Sequence, residues 1–195
     1  MSGLPGYPWE SRSHTFEGLR LAYLDEGAGD PVLLLHGEPT WSYLYRKVIP
    51  PVTEVARVIA PDYLGFGRSD KPTDPGWYSY DRHVASIGSL VEALDLARLT
   101  VVVQDWGGPI GMRLAAQAPE RVDRLVVLNT AIGAGRMPEV WLRFRELLRH
   151  IGTDVQPSRL VRISCVRPLD DDVLAAYDAP FPDAASKAGV VAFPE

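Results

Sequence analysis

The sequence predicts an α/β fold, a mostly parallel, doubly wound sheet with a helical cap, and three observations carry that expectation. Short apolar runs recur without polar alternation at Val32 to Leu35, Ala56 to Ala60, Leu99 to Val103 and Leu125 to Leu128, as in strands buried on both faces. Stretches with apolar residues at helical spacing separate these runs, which is the rhythm of successive βα units. The third run passes directly into Gln104-Asp105-Trp106-Gly107-Gly108, with Pro109 in the first turn of the helix that follows.

The elements follow in order. His14 to Gly27 places a glycine between two strand-like runs and predicts a β-hairpin at a sheet edge. Pro31 restarts the chain, Val32 to Leu35 ends at His36-Gly37, and Trp41 to Val52 has helical potential. Ala56 to Ala60 is the next strand, followed by a loop from Pro61 to Pro72. A helix from about Asp81 to Ala97 then carries Val84, Ile87, Val91 and Leu94 on one face. Leu99 to Val103 is the third buried strand, Gly107 to Ala118 its helix and Leu125 to Leu128 the fourth strand. After Asn129 the alternation stops: Pro138 to Ile151 reads as an amphipathic helix and the remainder as Pro-rich and helical. Residues 1–135 are therefore expected to form the N-terminal part of the sheet domain, truncated before its last strands. Residues 136–195 are expected to form an incomplete cap.

Composition narrows the function. With 195 residues, 46% hydrophobic and 23% charged, the chain can bury a core as one domain. A net charge of -5 provides no basic field for nucleic acid and no polybasic membrane anchor. The single cysteine, Cys165, excludes an internal disulfide framework and a Cys-rich metal site. No apolar run reaches the length of a signal peptide or of a membrane span. These features point to a cytoplasmic protein that acts on small molecules.

The run Val101 to Gly108 has the layout of a nucleophile elbow, in which a sharp strand-to-helix turn presents a reactive side chain at the top of the sheet. Asp105 occupies the position a serine takes in the Gly-x-Ser-x-Gly version. A carboxylate attacking saturated carbon yields an ester that water can later cleave, whereas serine would yield an ether; Asp105 therefore suits alkyl electrophiles. The helix starting at Gly107 is expected to keep the carboxylate ionised through its positive dipole end. An aspartate that merely capped this helix would need no second loop. Yet His36-Gly37-Glu38 stands where an oxyanion loop belongs, making the backbone N–H groups of Glu38 and Trp106 the candidate donor pair.

These residues resemble the haloalkane dehalogenases of the α/β-hydrolase superfamily. The resemblance runs through HGEPTWSYLYR (His36 to Arg46), PDYLGFGRSDKP (Pro61 to Pro72), QDWGG (Gln104 to Gly108) and DAPFPD (Asp178 to Asp183). It maps the family's nucleophile onto Asp105, and onto Trp106 the tryptophan whose indole N–H binds the departing halide. Indole suits that role because it donates without competing as a nucleophile. The resemblance implies an alkyl halide and water as reactants and no metal or organic cofactor. Epoxide hydrolases of the same superfamily also carry Asp-Trp-Gly, so Trp106 as plain pocket wall remains open.

The sequence departs from that family in three places. A cap tryptophan is expected upstream of Pro180 to Asp183, but Cys165, read as a small buried residue, stands there, and Trp141 lies in the preceding helix. Asn129-Thr130 occupies the position where one branch carries its catalytic acid. The base should be a late histidine, yet only His150 follows Asp105, beside Arg149 near a helix C-terminus where a solvated histidine is ordinary. His14 and His83 read as hairpin and helix-surface residues. The chain is thus expected to form an ester on Asp105 without hydrolysing it. Two alternatives stand beside this reading. One is an epoxide hydrolase, for which Tyr177 is the only cap tyrosine, and the other is a non-catalytic binding fragment.

Overall fold

Glu17 and Gly18, at φ 50° and 79°, form the tight turn that joins β1 (Arg12–Phe16) to β2 (Leu19–Gly27). Positive φ at both central residues matches the twist of a two-residue hairpin. The computed structural model describes residues 3–133, 135 and 137–195, and the hairpin opens its six-stranded sheet. The other strands are β3 (Pro31–Leu35), β4 (Arg57–Pro61), β5 (Leu99–Gln104) and β6 (Val122–Leu128). Their spatial order is β1-β2-β4-β3-β5-β6, antiparallel across β1/β2 and β2/β4 and parallel from β4 through β3 and β5 to β6. The hairpin lies at the edge, as expected.

Alternate residues of the central strands feed two apolar layers. Leu33 and Leu35 of β3 join Ile59, Val101 and Val103 in packing against α2 (Tyr80–Ala93) and α3 (Gly107–Gln117) through Val84, Ile87, Leu90, Ile110 and Leu114. Leu34 points the other way and joins Val58, Ala60, Trp41, Tyr43, Tyr45 and Ile49. The expected helix from Trp41 to Val52 is broken in two, a 3-10 turn at Ser42–Tyr45 and α1 at Ile49–Thr53. Pro50 and Pro51 cannot donate to carbonyls four residues back, so they begin a helix and do not continue one.

Helix α2 is capped by the Ser79 side chain, which accepts from Arg82 N, and it ends at Ala93, short of the expected Ala97, before Asp95 turns to φ 45°. His83 is not a surface residue. It sits four residues before Ile87 on the buried stripe and is covered by the rings of Tyr63, Tyr78 and Phe193. His14 lies on β1, as expected, where Nε2 shares a 2.8 Å hydrogen bond with Ser89 Oγ.

Arg136, where the cap was expected to start, lies outside the described residues. Four helices follow: α4 (Glu139–Ile151), α5 (Pro157–Ser164), α6 (Asp171–Asp178) and α7 (Ala188–Ala192). Trp41 Nε1 donates to Ala176 O at 3.2 Å, and Tyr177 meets Tyr43 edge-on, so α6 is fastened over the 3-10 turn. Cys165 is exposed, against expectation, because it follows the last turn of α5 in extended backbone and faces solvent. Among the described residues no helix is long and apolar enough to cross a membrane.

Candidate active site

The C-terminal ends of β3 and β5 lie side by side in parallel register, Leu35 opposite Val103, and this brings the two expected loops together. Asp105 leaves β5 at φ 51°, and Trp106 at once takes helical angles. Left-handed backbone strains a non-glycine residue and is kept only where the surroundings fix it. Three contacts do so here. Asp105 N donates to Asn129 O at 3.2 Å, and Asp105 O accepts from Gly108 N at 2.9 Å and from Thr130 Oγ1 at 2.6 Å. A Cβ on Gly108 would run into Thr130, and one on Gly107 into the carbonyls of Leu35 and His36, so the turn admits only glycine at either position. Asn129-Thr130 thus braces the elbow backbone, a role its sequence position did not announce.

The second loop is as closely fitted. A Cβ on Gly37 would overlap the Asp105 side chain, and without one Glu38 N reaches Asp105 Oδ1 at 2.8 Å. The Trp106 N–H, like that of Glu38, holds the Asp105 pKa down, so both expected donors act on Asp105 itself. His36 is wholly buried: its Nδ1 bonds Gly37 O at 2.9 Å, and its Nε2 accepts from Tyr63 N at 3.1 Å. A neutral ring with Nδ1–H satisfies both bonds. Burial drives the His36 pKa down to about 4, so this histidine is a structural pin.

Asp105 is half-buried and not the exposed tip the sequence suggested. Burial raises its pKa, and the N–H groups of Trp106 and Glu38 pull the other way without overturning it. Trp106 is half-buried too, with its indole edge-on to Phe193 at 5.3 Å between ring centroids. Phe193 also touches His83, Tyr63 and Phe66, so one ring closes the floor beside Trp106. Cavities of about 530 Å3 beside Tyr7, Trp9 and Arg68 and about 260 Å3 beside Gln156, Phe181 and Lys187 open elsewhere.

The structure brings Asp105, Trp106 and Glu38 together and leaves the other candidates apart. His150 is exposed in the last turn of α4. Trp141, also on α4, lies under the guanidinium of Arg145. The Tyr177 hydroxyl accepts from Arg46 Nη1 at 3.4 Å. Sequence reading missed three groups near Asp105. The Glu38 carboxyl oxygens, the Tyr63 hydroxyl and Gln104 Oε1 are buried with no hydrogen-bond partner among the described residues. The loop Pro61 to Pro72 is held as a structural brace, with the Asp62 carboxylate accepting from Ser42 N and Arg68 N at 2.8 Å each.

A mostly parallel sheet with an aspartate elbow facing an oxyanion-type loop defines an α/β-hydrolase-fold protein, and residues 30–158 match the family model described as alpha/beta hydrolase fold. The chain is 50% identical to a haloalkane dehalogenase of Mycolicibacterium paratuberculosis over 91% of its own length and 60% of that protein's. It is 38% identical to haloalkane dehalogenase 2 of Mycobacterium bovis, over 97% of this chain and 68% of that one. The tetrameric haloalkane dehalogenase DpaA from Paraglaciecola agarilytica NO2 superposes with a TM-score of 0.93 at 39% identity, covering 98% of this chain and 67% of that one. The chain belongs to the haloalkane dehalogenase family of the α/β-hydrolase superfamily. It spans 60%, 61% and 55% of the length of the first three curated relatives it matches.

Proposed function

We propose that this protein carries out the carbon–halogen cleavage its relatives are named for, with Asp105 as nucleophile. The observation that carries the reading is the 2.8 Å bond from Glu38 N to Asp105 Oδ1, made at a left-handed elbow that only its surroundings sustain. One carboxylate oxygen is held by backbone N–H and the other remains to attack an alkyl halide at the carbon bearing halogen, giving an aspartyl ester and a halide ion. The indole N–H of Trp106, the next residue, takes the halide. When water adds to the ester, charge develops on the carbonyl oxygen, and the N–H groups of Glu38 and Trp106 already face it. Residues 136–195 act as the cap over this site, and the protein works on small alkyl halides in the cytoplasm with no nucleic acid, membrane or cofactor partner.

An epoxide hydrolase would share the ester intermediate but needs donors for the epoxide oxygen, and Tyr177, its one sequence candidate, is turned to Arg46. Exposure to a short bromoalkane should therefore release bromide faster than an epoxide of similar size is opened to a diol. The reverse preference would overturn the reading in favour of epoxide chemistry.

A further inference from the structure

One carbonyl beside the elbow has more donors than it needs. Gly37 O accepts from His36 Nδ1 at 2.9 Å, from Thr40 N at 3.0 Å and from Thr40 Oγ1 at 2.9 Å. A carbonyl oxygen has two lone pairs, and the ring and the backbone N–H of the turn already fill them. The Thr40 hydroxyl is therefore surplus to satisfying a buried acceptor. His36 and Gly37 are buried and Thr40 is only 7% exposed, so solvent does not compete for these bonds. The same oxygen is one end of the planar peptide whose other end is the Glu38 N–H, which reaches Asp105 Oδ1 at 2.8 Å. In a trans peptide the C=O and N–H point in opposite directions, so fixing the oxygen fixes where the N–H points. Donors on the oxygen also polarise the unit and strengthen the N–H as a donor.

We propose that Thr40 is a positioning residue for this reaction: its hydroxyl, acting on Gly37 O, aims and strengthens the Glu38 N–H that holds Asp105 and later faces the charge of the ester adduct. This rests on Asp105 being the nucleophile. His36 serves the same carbonyl from its other side. Its Nε2 accepts from Tyr63 N at 3.1 Å, which leaves the ring proton on Nδ1 facing Gly37 O. Gly37 completes the fit, since a Cβ there would overlap the Asp105 side chain. The carboxylate is thus held through a relay from the Thr40 hydroxyl to the Gly37 carbonyl, and from the Glu38 N–H to Asp105 Oδ1. Before reaction this N–H draws the Asp105 pKa down against burial. Alkylation leaves it beside a neutral ester carbonyl, and addition of water then places negative charge on that oxygen. A peptide oriented and polarised beforehand needs no rearrangement at that moment.

The test titrates Asp105 by carbon-13 NMR of its side-chain carboxyl, in the 195-residue chain carrying Cys165→Ser so that the exposed thiol does not react later. The Glu38 amide proton shift is read alongside. Thr40→Val removes the hydroxyl and nearly keeps the shape. It should move the Asp105 midpoint to higher pH, a roughly two- to fourfold weaker acid, because a bond to a charged acceptor loses the cooperative share that one donor adds. The Glu38 amide proton should move upfield, and Thr40→Ser should restore both. Should Thr40→Val fail to fold, Thr40→Ala, which introduces no second methyl against the carbonyl, takes its place. A hydroxyl that merely found the nearest acceptor would affect stability and leave Asp105 unmoved. An unchanged midpoint and amide shift in the folded variant, or changes that Thr40→Ser does not reverse, therefore overturn the inference. A second arm adds 1-bromobutane and follows butyl transfer to Asp105 by mass spectrometry across pH, where the midpoint of the rate profile should rise in Thr40→Val by the same factor. Identical rate profiles in parent and variant overturn the inference while leaving Asp105 as nucleophile. A parent that forms no adduct on Asp105 overturns the nucleophile reading and the catalytic use of Thr40 with it.

Discussion

Asp105 holds a backbone conformation that costs an ordinary residue about 1–3 kcal/mol, and bonds from Asn129, Gly108 and Thr130 maintain it. The two glycines and the aspartate made the elbow legible in the sequence, because each answers a steric demand that can be stated without coordinates. Glu38 was legible only as a backbone donor. That its carboxyl is buried, with no hydrogen-bond partner among the described residues, follows from tertiary packing, which no spacing rule records. His83 was misjudged for a simpler reason: a histidine among charged residues at a helix start reads as surface, although its register with Ile87 places it inside. Its burial has a measurable consequence. His36 and His83 are pushed down to about 4 and about 3, from 6.5, chiefly by loss of solvent. The unfolded chain therefore binds more protons between those values. Stability fully present above 6.5 is lost as pH falls toward the folded pKa values, about 2 kcal/mol for each histidine between pH 7 and pH 5. Urea unfolding at the two pH values should show a drop smaller by about that amount in His83→Phe than in the parent. An equal drop would mean that His83 is solvated.

The strands were the most legible elements, since a run such as Leu33, Leu34, Leu35, too short to cross a membrane, has one explanation: burial on both faces of a sheet. The stretch from Trp41 to Val52 was misread because its aromatic residues mimic a helical stripe, while the consecutive prolines at Pro50 and Pro51 decide the break. Strand β6 was correctly placed, and its position makes it the weak element. It is the outer strand among the described residues, with Leu125 and Val127 on one face and Val126 and Leu128 on the other, all from 39% to 51% exposed. Edges of this kind pair with copies of themselves. Val127→Lys should lower concentration-dependent light scattering several-fold at unchanged secondary structure, because a lysine on an apolar edge opposes stacking. Scattering equal to the parent's would place the sticky surface elsewhere, with the exposed Ile163 of α5 and Val166 beyond it next to be changed.

Taken as a whole, the chain was recognisable because sheet order, elbow and loop are consistent with one another, and matches to relatives at 50% and 38% identity agree. The helices after β6 resisted sequence reading. The short ones take their places from contacts such as Trp41 to Ala176 and Phe193 to Trp106, formed between segments more than 80 residues apart. What the whole molecule does stands or falls with Asp105. The most direct measurement exposes the Cys165→Ser chain to 1-bromobutane, quenches early, and maps alkylation by peptide mass spectrometry alongside bromide release. A single butyl group on Asp105, with the first equivalent of bromide released as it forms and both absent in Asp105→Ala of unchanged circular dichroism, is the predicted result. Alkylation at another residue, or bromide release that survives in Asp105→Ala, would contradict it.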